Sequence, residues 1–167
     1  RDRSVSRGLG DVYKRQVGTG FMVGSPWQTM ANLLEDLAFI RELQPQMIGI
    51  GPFIPHHATP FKNYPAGTLE QTLTLLSVLR LMFPKVLLPA TTALGTIVPN
   101  GRELGILAGA NVVMPNLSPA DVRQNYLLYD NKLCSGAEAA EAKNDLAARL
   151  HSIGYEIAEG RGDYKES

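Results

Sequence analysis

The chain has 167 residues, 44% of them hydrophobic, with 16 Lys and Arg balancing 16 Asp and Glu. That composition suits one globular domain with a sizeable core and excludes a fully disordered chain, and zero net charge gives no electrostatic reason to expect nucleic acid. Cys134 is the only cysteine, which excludes an intrachain disulfide, a multi-cysteine zinc site and a self-contained cysteine-ligated iron–sulfur cluster.

Residues 1–16, RDRSVSRGLGDVYKRQ, carry five basic and two acidic residues, so residues 17–167 hold 11 basic and 14 acidic ones. The leader shows neither a helical nor a strand period. Its DVYKRQ ending resembles an adapter-derived translation, and the segment reads as a foreign, disordered or misassembled leader on a chain truncated upstream. No apolar stretch follows its charges, so it is not a signal peptide. The apolar run Leu75–Phe83 is broken by Arg80, and no membrane-spanning helix is expected. The expectation is a soluble, cytoplasmic protein.

From Val17 onward the chain repeats one pattern, a short apolar strand, a Gly/Pro-rich turn and a helix. Strands are expected at Val17–Val23, Met47–Ile50, Val86–Leu88 and Asn111–Met114. Their continuous apolarity fits a parallel sheet rather than an alternating antiparallel one. Ser25-Pro26-Trp27-Gln28 reads as the start of a helix over Pro26–Leu43, with N-cap serine, proline at N1 and Met30, Leu33, Leu34, Leu37 and Ile40 on its core side. Thr68…Gln71 starts a second helix, Leu69–Met82, with Leu69, Leu73, Leu76 and Leu79 inward before Pro84. Asn100…Glu103 starts a short third, Gly101–Ala108, with Gly109 as its left-handed cap. Ser118-Pro119 opens a fourth over Pro119–Tyr129, and Ser135…Glu138 a fifth over Gly136–Ile153, followed by an extended piece at Tyr155–Ile157 and a polar tail.

The strand starts lie 30, 39 and 25 residues apart. A (β/α)8 barrel of about 250 residues allots about 31 to each unit, so four units make half a barrel. A flavodoxin-like or Rossmann sheet is the rival, though no Gly-x-Gly-x-x-Gly opens a helix after the first strand. Ligands in either architecture gather at the C-terminal strand ends. There Gly20-Phe21-Met22-Val23-Gly24 offers glycines that admit a flat ligand, or merely core and turn residues. His56 and His57 are adjacent with no cysteine or carboxylate beside them, and one of them facing a polar ligand competes with a plain loop role. Pro89 marks the end of the third strand. Thr91 and Thr92 beyond it suit carboxylate, amine or diatomic contacts, with Thr–backbone bonding the alternative. Met114 closes the fourth strand, and Tyr126 and Tyr129 share a helix face. No metal ligands and no nucleophile with a His–carboxylate partner are visible.

Specific stretches carry a resemblance: GFMVGSPWQT (Gly20–Thr29), ELQPQMIGIGPFIPHHATPF (Glu42–Phe61), LLPATTALGT (Leu87–Thr96), LAGANVVMPNLSPADVR (Leu107–Arg123), YLLYDNKLCSG (Tyr126–Gly136) and GYEIAEGRGD (Gly154–Asp163). Together they resemble the C-terminal half of the radical-SAM maturases of FeFe hydrogenase. Biotin synthase and the methylornithine and thiamine-pathway enzymes are the wider kin. The resemblance implies an α/β chain forming the C-terminal half of a radical-SAM (β/α)8 barrel over 17–134, with a C-terminal helix and tail over 135–167. It implies a parent enzyme in which one 4Fe-4S cluster reduces S-adenosylmethionine, and the 5′-deoxyadenosyl radical acts on a cysteine-bound iron carbonyl cyanide precursor of the di-iron subcluster.

The resemblance casts Gly20, Phe21, Met22 and Val23 as S-adenosylmethionine contacts and Thr91, Thr92, Met114 and Tyr126 as substrate-cavity residues. The implied partners are the missing N-terminal half-barrel, other hydrogenase maturation proteins and the small organometallic substrate. The Cys-x-x-x-Cys-x-x-Cys signature is absent, so this chain alone holds no catalytic cluster and is expected to be inactive. An accessory cluster using Cys134 would need ligands at Ala142 and Asp145, and none is expected. The alternatives are another biotin-synthase-like radical-SAM enzyme and a non-catalytic ligand- or partner-binding half-barrel.

Overall fold

The computed structural model describes residues 16–114, 139–158, 160 and 162–164. Strand β1 (Gly18–Val23) runs parallel to β2 (Met47–Pro52) in a register that sets Gly20 beside Gly49 and Val23 beside Pro52. Helix α1 (Met30–Leu43) connects them and α2 (Leu69–Met82) follows β2. Strand β3 (Pro89–Ala90) is succeeded by two short helices, α3 (Thr92–Ile97) and α4 (Gly101–Leu107), and then by β4 (Val112–Val113), which runs parallel to β3. The two pairs meet where the Ile48 amide donates to the Leu87 carbonyl and the Leu87 amide to Gln46, both at 2.9 Å. Spatial order therefore repeats chain order.

A parallel crossover is right-handed. Strands added always on the same side consequently place every connecting helix on one face. The core lies there: Val23, Ile48, Ile50 and Leu88 from the strands meet Leu33, Ile40, Leu76 and Leu79 from α1 and α2, all 3% exposed or less. Helix α5 (Ala139–Ser152) adds Leu146 and Leu150 to this cluster. The result is an α/β domain of parallel strands. Among the described residues β1 and β4 do not pair, so no barrel closes.

Local chemistry explains where elements begin. Helix α2 starts as expected, Thr68 Oγ1 accepting from the Gln71 amide at 3.2 Å. Helix α1 does not. Ser25–Gln28 is a tight turn, with Gln28 N donating to Ser25 O at 3.0 Å, and the cap is Thr29, boxed with Asn32. Ser and Pro serve a turn as well as they serve a first helical residue, and that ambiguity misplaced the start by four residues. Asn100 makes no side-chain cap either; Glu103 turns away to pair with Arg149 of α5.

Pro89 opens β3 rather than ending a strand, because the first residue of a strand is a place where a missing N–H is tolerated. The ladder is extended around it by Asn111, whose Oδ1 accepts from the Leu88 amide at 2.8 Å. Gly109 takes φ +112, as a left-handed cap requires. Arg80 secures that turn: Nε donates to Gly109 O and Nη1 to Pro84 O, both at 2.8 Å, and burial draws its pKa below the ordinary guanidinium value.

Met30 and Leu34, expected inward, are 68% and 59% exposed, whereas Leu33 and Ile40 are buried. The helix turns a stripe centred on Leu33 and Ile40, flanked by Leu37 and Phe39, into the core. Tyr155–Ile157 joins no strand. The helix expected at Pro119–Tyr129 and the residues Gly136–Glu138 of the fifth lie outside the described residues.

Candidate functional site

The face of the sheet opposite the helices carries an open cavity of about 950 Å³. Alternation along the strands decides what it sees. Thr19, Phe21 and Val23 of β1 lean with Ile48, Ile50 and Pro52 of β2 toward the helices, while Gly18, Gly20, Met22, Met47, Gly49 and Gly51 share the other face. The floor beneath β1 and β2 is thus almost bare backbone. Two of these glycines have close neighbours: a Cβ on Gly20 would fall 1.9 Å from the Gly49 carbonyl oxygen, and one on Gly51 would fall 2.6 Å from Thr91 Oγ1.

Of the residues singled out in the sequence, Gly20, Phe21, Met22, Thr91, Thr92 and Met114 all line this one cavity. Phe21 does so from the strand's edge while also packing on the core. Val23 stands apart. It is fully buried among the helix-facing residues, because an odd step along the strand turns its side chain away. Tyr126, Tyr129 and Cys134 lie outside the described residues. Neither His56 nor His57 lines the cavity; their rings stack on each other at 4.4 Å, and His56 Nδ1 accepts from the Ala58 amide at 3.0 Å.

The rim after β1 is built by Gln28. Its Oε1 accepts from the Gly24 amide at 2.7 Å and its Nε2 donates to the Met22 carbonyl at 2.9 Å, closing the turn on the strand end. Trp27, held at φ +62 and 72% exposed, packs edge-on against Phe61 and Tyr64 of the loop after β2. At the third strand the chemistry is polar. Thr91 Oγ1 is buried with no hydrogen-bond partner among the described residues, and Thr92 Oγ1 accepts from Arg102 Nη2 at 3.3 Å.

Gly51, Ile54 and Arg102 were not singled out in the sequence. The period-two pattern of β2, with Gly49 and Gly51 alternating against Ile48 and Ile50, was the available signal for Gly51. Nothing in the order of residues announces Arg102, which reaches Thr92 from α4. The site is mostly apolar with a polar corner at Thr91 and Thr92. Among the described residues no three His, Cys, Asp or Glu side chains gather in a metal-binding group, and no helix is long and apolar enough to cross a membrane.

No protein-family model matches the chain. It is 49% identical over 119 residues to the [FeFe] hydrogenase maturase subunit HydE of Thermotoga maritima, which covers 71% of this chain and 34% of that protein. It is 37% identical over 89 residues to the 3-methylornithine synthase of Methanosarcina barkeri, covering 53% of the chain and 25% of the relative. With the 3-methylornithine synthase of Methanosarcina acetivorans it shares 28% identity over 125 residues, 75% of the chain and 34% of the relative. The chain spans about a third or less of each of these relatives.

Proposed function

We propose that residues 17–134 are the C-terminal half of a radical-SAM (β/α)8 barrel, preceded by a foreign leader and followed by a C-terminal helix and tail. More particularly, the parent is a HydE-type maturase that advances assembly of the di-iron subcluster of FeFe hydrogenase. The observation that carries this reading is one face of the sheet on which Gly20, Met22, Thr91, Thr92 and Met114 meet, in a chain 49% identical over 119 residues to a HydE.

S-adenosylmethionine fits the first two strands. The bare backbone at Gly20 and Gly49 lets a flat base lie close, and Met22 supplies apolar contact beside it, with Phe21 reaching it only from the strand's edge. Bound to a reduced 4Fe-4S cluster, it would supply a 5′-deoxyadenosyl radical. The cluster itself does not fit here, since the chain has a single cysteine and the described residues offer no ligand group. Its ligands belong to an N-terminal half-barrel, so the fragment alone is inactive.

What this chain contributes is enclosure and orientation. The apolar floor excludes water from a labile substrate, and Thr91 and Thr92 offer hydroxyls to it or to its carboxylate. Met114 lines the cavity, and the resemblance adds Tyr126 as a substrate-cavity residue. The setting is the cytoplasm, among the other maturation proteins, with no nucleic acid or membrane engaged and no accessory cluster.

The methylornithine synthase matches support a second reading, a different radical-SAM enzyme on the same barrel. The test is the intact upstream reading frame, expressed and reconstituted with iron and sulfide. The maturase reading expects a Cys-x-x-x-Cys-x-x-Cys motif and reductive release of 5′-deoxyadenosine from S-adenosylmethionine, together with restoration of hydrogenase activity in a HydE-deficient extract. Cleavage without restoration would favour the second reading, and no cleavage would overturn both. The 167-residue chain by itself should release no 5′-deoxyadenosine.

A further inference from the structure

We propose that Arg102 is a positioning residue that commits the hydroxyl proton of Thr92 to the cavity, so that the polar corner accepts an anionic oxygen and rejects an amine. The inference rests on the cavity reading above and assigns a role to a side chain that is not itself in the cavity lining. Arg102 Nη2 lies 3.3 Å from Thr92 Oγ1. A guanidinium has five donors and no acceptor. The threonine oxygen is therefore the acceptor in this pair, and its single proton remains to be given elsewhere.

Other helical threonines of this chain spend that proton on the turn behind them. Thr72 donates to Thr68 O at 2.8 Å, Thr74 to Glu70 O at 2.9 Å and Thr96 to Thr92 O at 3.1 Å. Thr92 is the first residue of α3 and has no helical carbonyl behind it. Among the described residues no other hydrogen bond engages its hydroxyl, and the side chain lines the cavity. Donation from a cation also polarises the O–H and makes it a stronger donor. Beside it, the buried Thr91 hydroxyl has no partner among the described residues and sits against Gly51. Hydroxyls that offer their protons match the oxygens of a carboxylate, whereas an ammonium has no lone pair to accept them.

The test uses the intact parent protein, with cysteine and cysteamine as probes that differ only by the carboxylate. Calorimetric binding to the parent should favour cysteine. Arg102→Gln and Thr92→Val should each shrink that preference about tenfold, the scale of one charge-assisted hydrogen bond. The double variant should be no worse than either single one, because both remove the same interaction. Arg102→Lys should recover part of the preference.

A cysteine-to-cysteamine ratio unmoved in Arg102→Gln, whatever its melting temperature, would overturn the role. Should that variant fail to fold, an unmoved ratio in Thr92→Val or Arg102→Lys overturns it equally. Release of 5′-deoxyadenosine by the unmutated parent, measured alongside, separates the two levels. Cleavage with an unmoved ratio removes only Arg102, whereas a parent that neither cleaves nor binds cysteine removes the cavity reading and this inference with it.

Discussion

Replacing Gly51 with alanine puts a methyl group 2.6 Å from Thr91 Oγ1, 3.4 Å from its Cβ and 3.5 Å from its Cγ2. Only the hydroxyl is in conflict. An ordinary contact begins near 3.4 Å, so the oxygen must retreat by about 0.8 Å or leave by rotation about χ1. Rotation that brings Cγ2 to the same place gains nothing, which leaves one rotamer with Hβ toward residue 51 and the hydroxyl swung aside. Overpacking of this kind costs about 1–3 kcal/mol, and the Gly→Ala change returns about 0.4–1 kcal/mol through the unfolded chain. A net loss of about 1 kcal/mol is expected in chemical denaturation. The effect on the site is the sharper one. Gly51→Ala should weaken binding of cysteine to the intact parent about fivefold, as Thr91→Ala should, the worth of one hydrogen bond of about 1 kcal/mol. Because both act through one hydroxyl, the double variant should match the singles. Fully additive losses, or a Gly51→Ala protein that binds as tightly as the parent, would refute the geometry at Thr91.

Gln28→Ala should cost about 1–2 kcal/mol by removing two hydrogen bonds to backbone, with faster amide exchange at Gly24, while Gln28→Glu keeps the bond to that amide and loses the one to Met22. Removing Arg149 as methionine strips the bidentate partner from Glu103, which is 6% exposed. A broken buried pair costs about 3–5 kcal/mol, and the partial exposure of Arg149 reduces the expected loss to about 2 kcal/mol. Arg149→Met combined with Glu103→Gln should recover part of that loss in the same unfolding assay. Among the described residues nothing pairs with the outer edges of β1 and β4, and the isolated chain should associate as its concentration rises, visible by sedimentation; a strict monomer throughout would show that those edges are protected.

Much of the fold was legible because its signals were local and unambiguous. Helix α2 begins and ends where Thr68 and Pro84 say it does. Other signals had two uses. Ser25, Pro26 and Gln28 fit a helix cap and also a turn, and only the competing Thr29–Asn32 box, four residues on, decides between them. Helix α3 went unseen because Thr92–Ile97 has β-branched residues and a glycine but no apolar period; its contact with α4 and the seat of Gly101 against the Leu94 carbonyl hold it instead. The cavity was half legible. The glycines and threonines stood out by type, but which neighbour faced inward depended on strand phase, and that phase moved Val23 into the core. Arg102 depends on a contact across ten residues and had no local signature.

What separates a half-barrel from a doubly wound sheet is the placement of the connecting helices rather than composition. A doubly wound sheet reverses its strand order once, and right-handed crossovers then put helices on both faces. Here the order β1-β2-β3-β4 never reverses, and the buried residues of α1 and α2 meet in one core on one face. The opposite face would be a poor seat for a helix. Gly18, Gly20, Gly49 and Gly51 give it little apolar area to bury, and Met22 and Met114 remain 58% and 49% exposed. With Ile, Val and Leu on one side of the sheet and glycine on the other, its stability comes from the helical side.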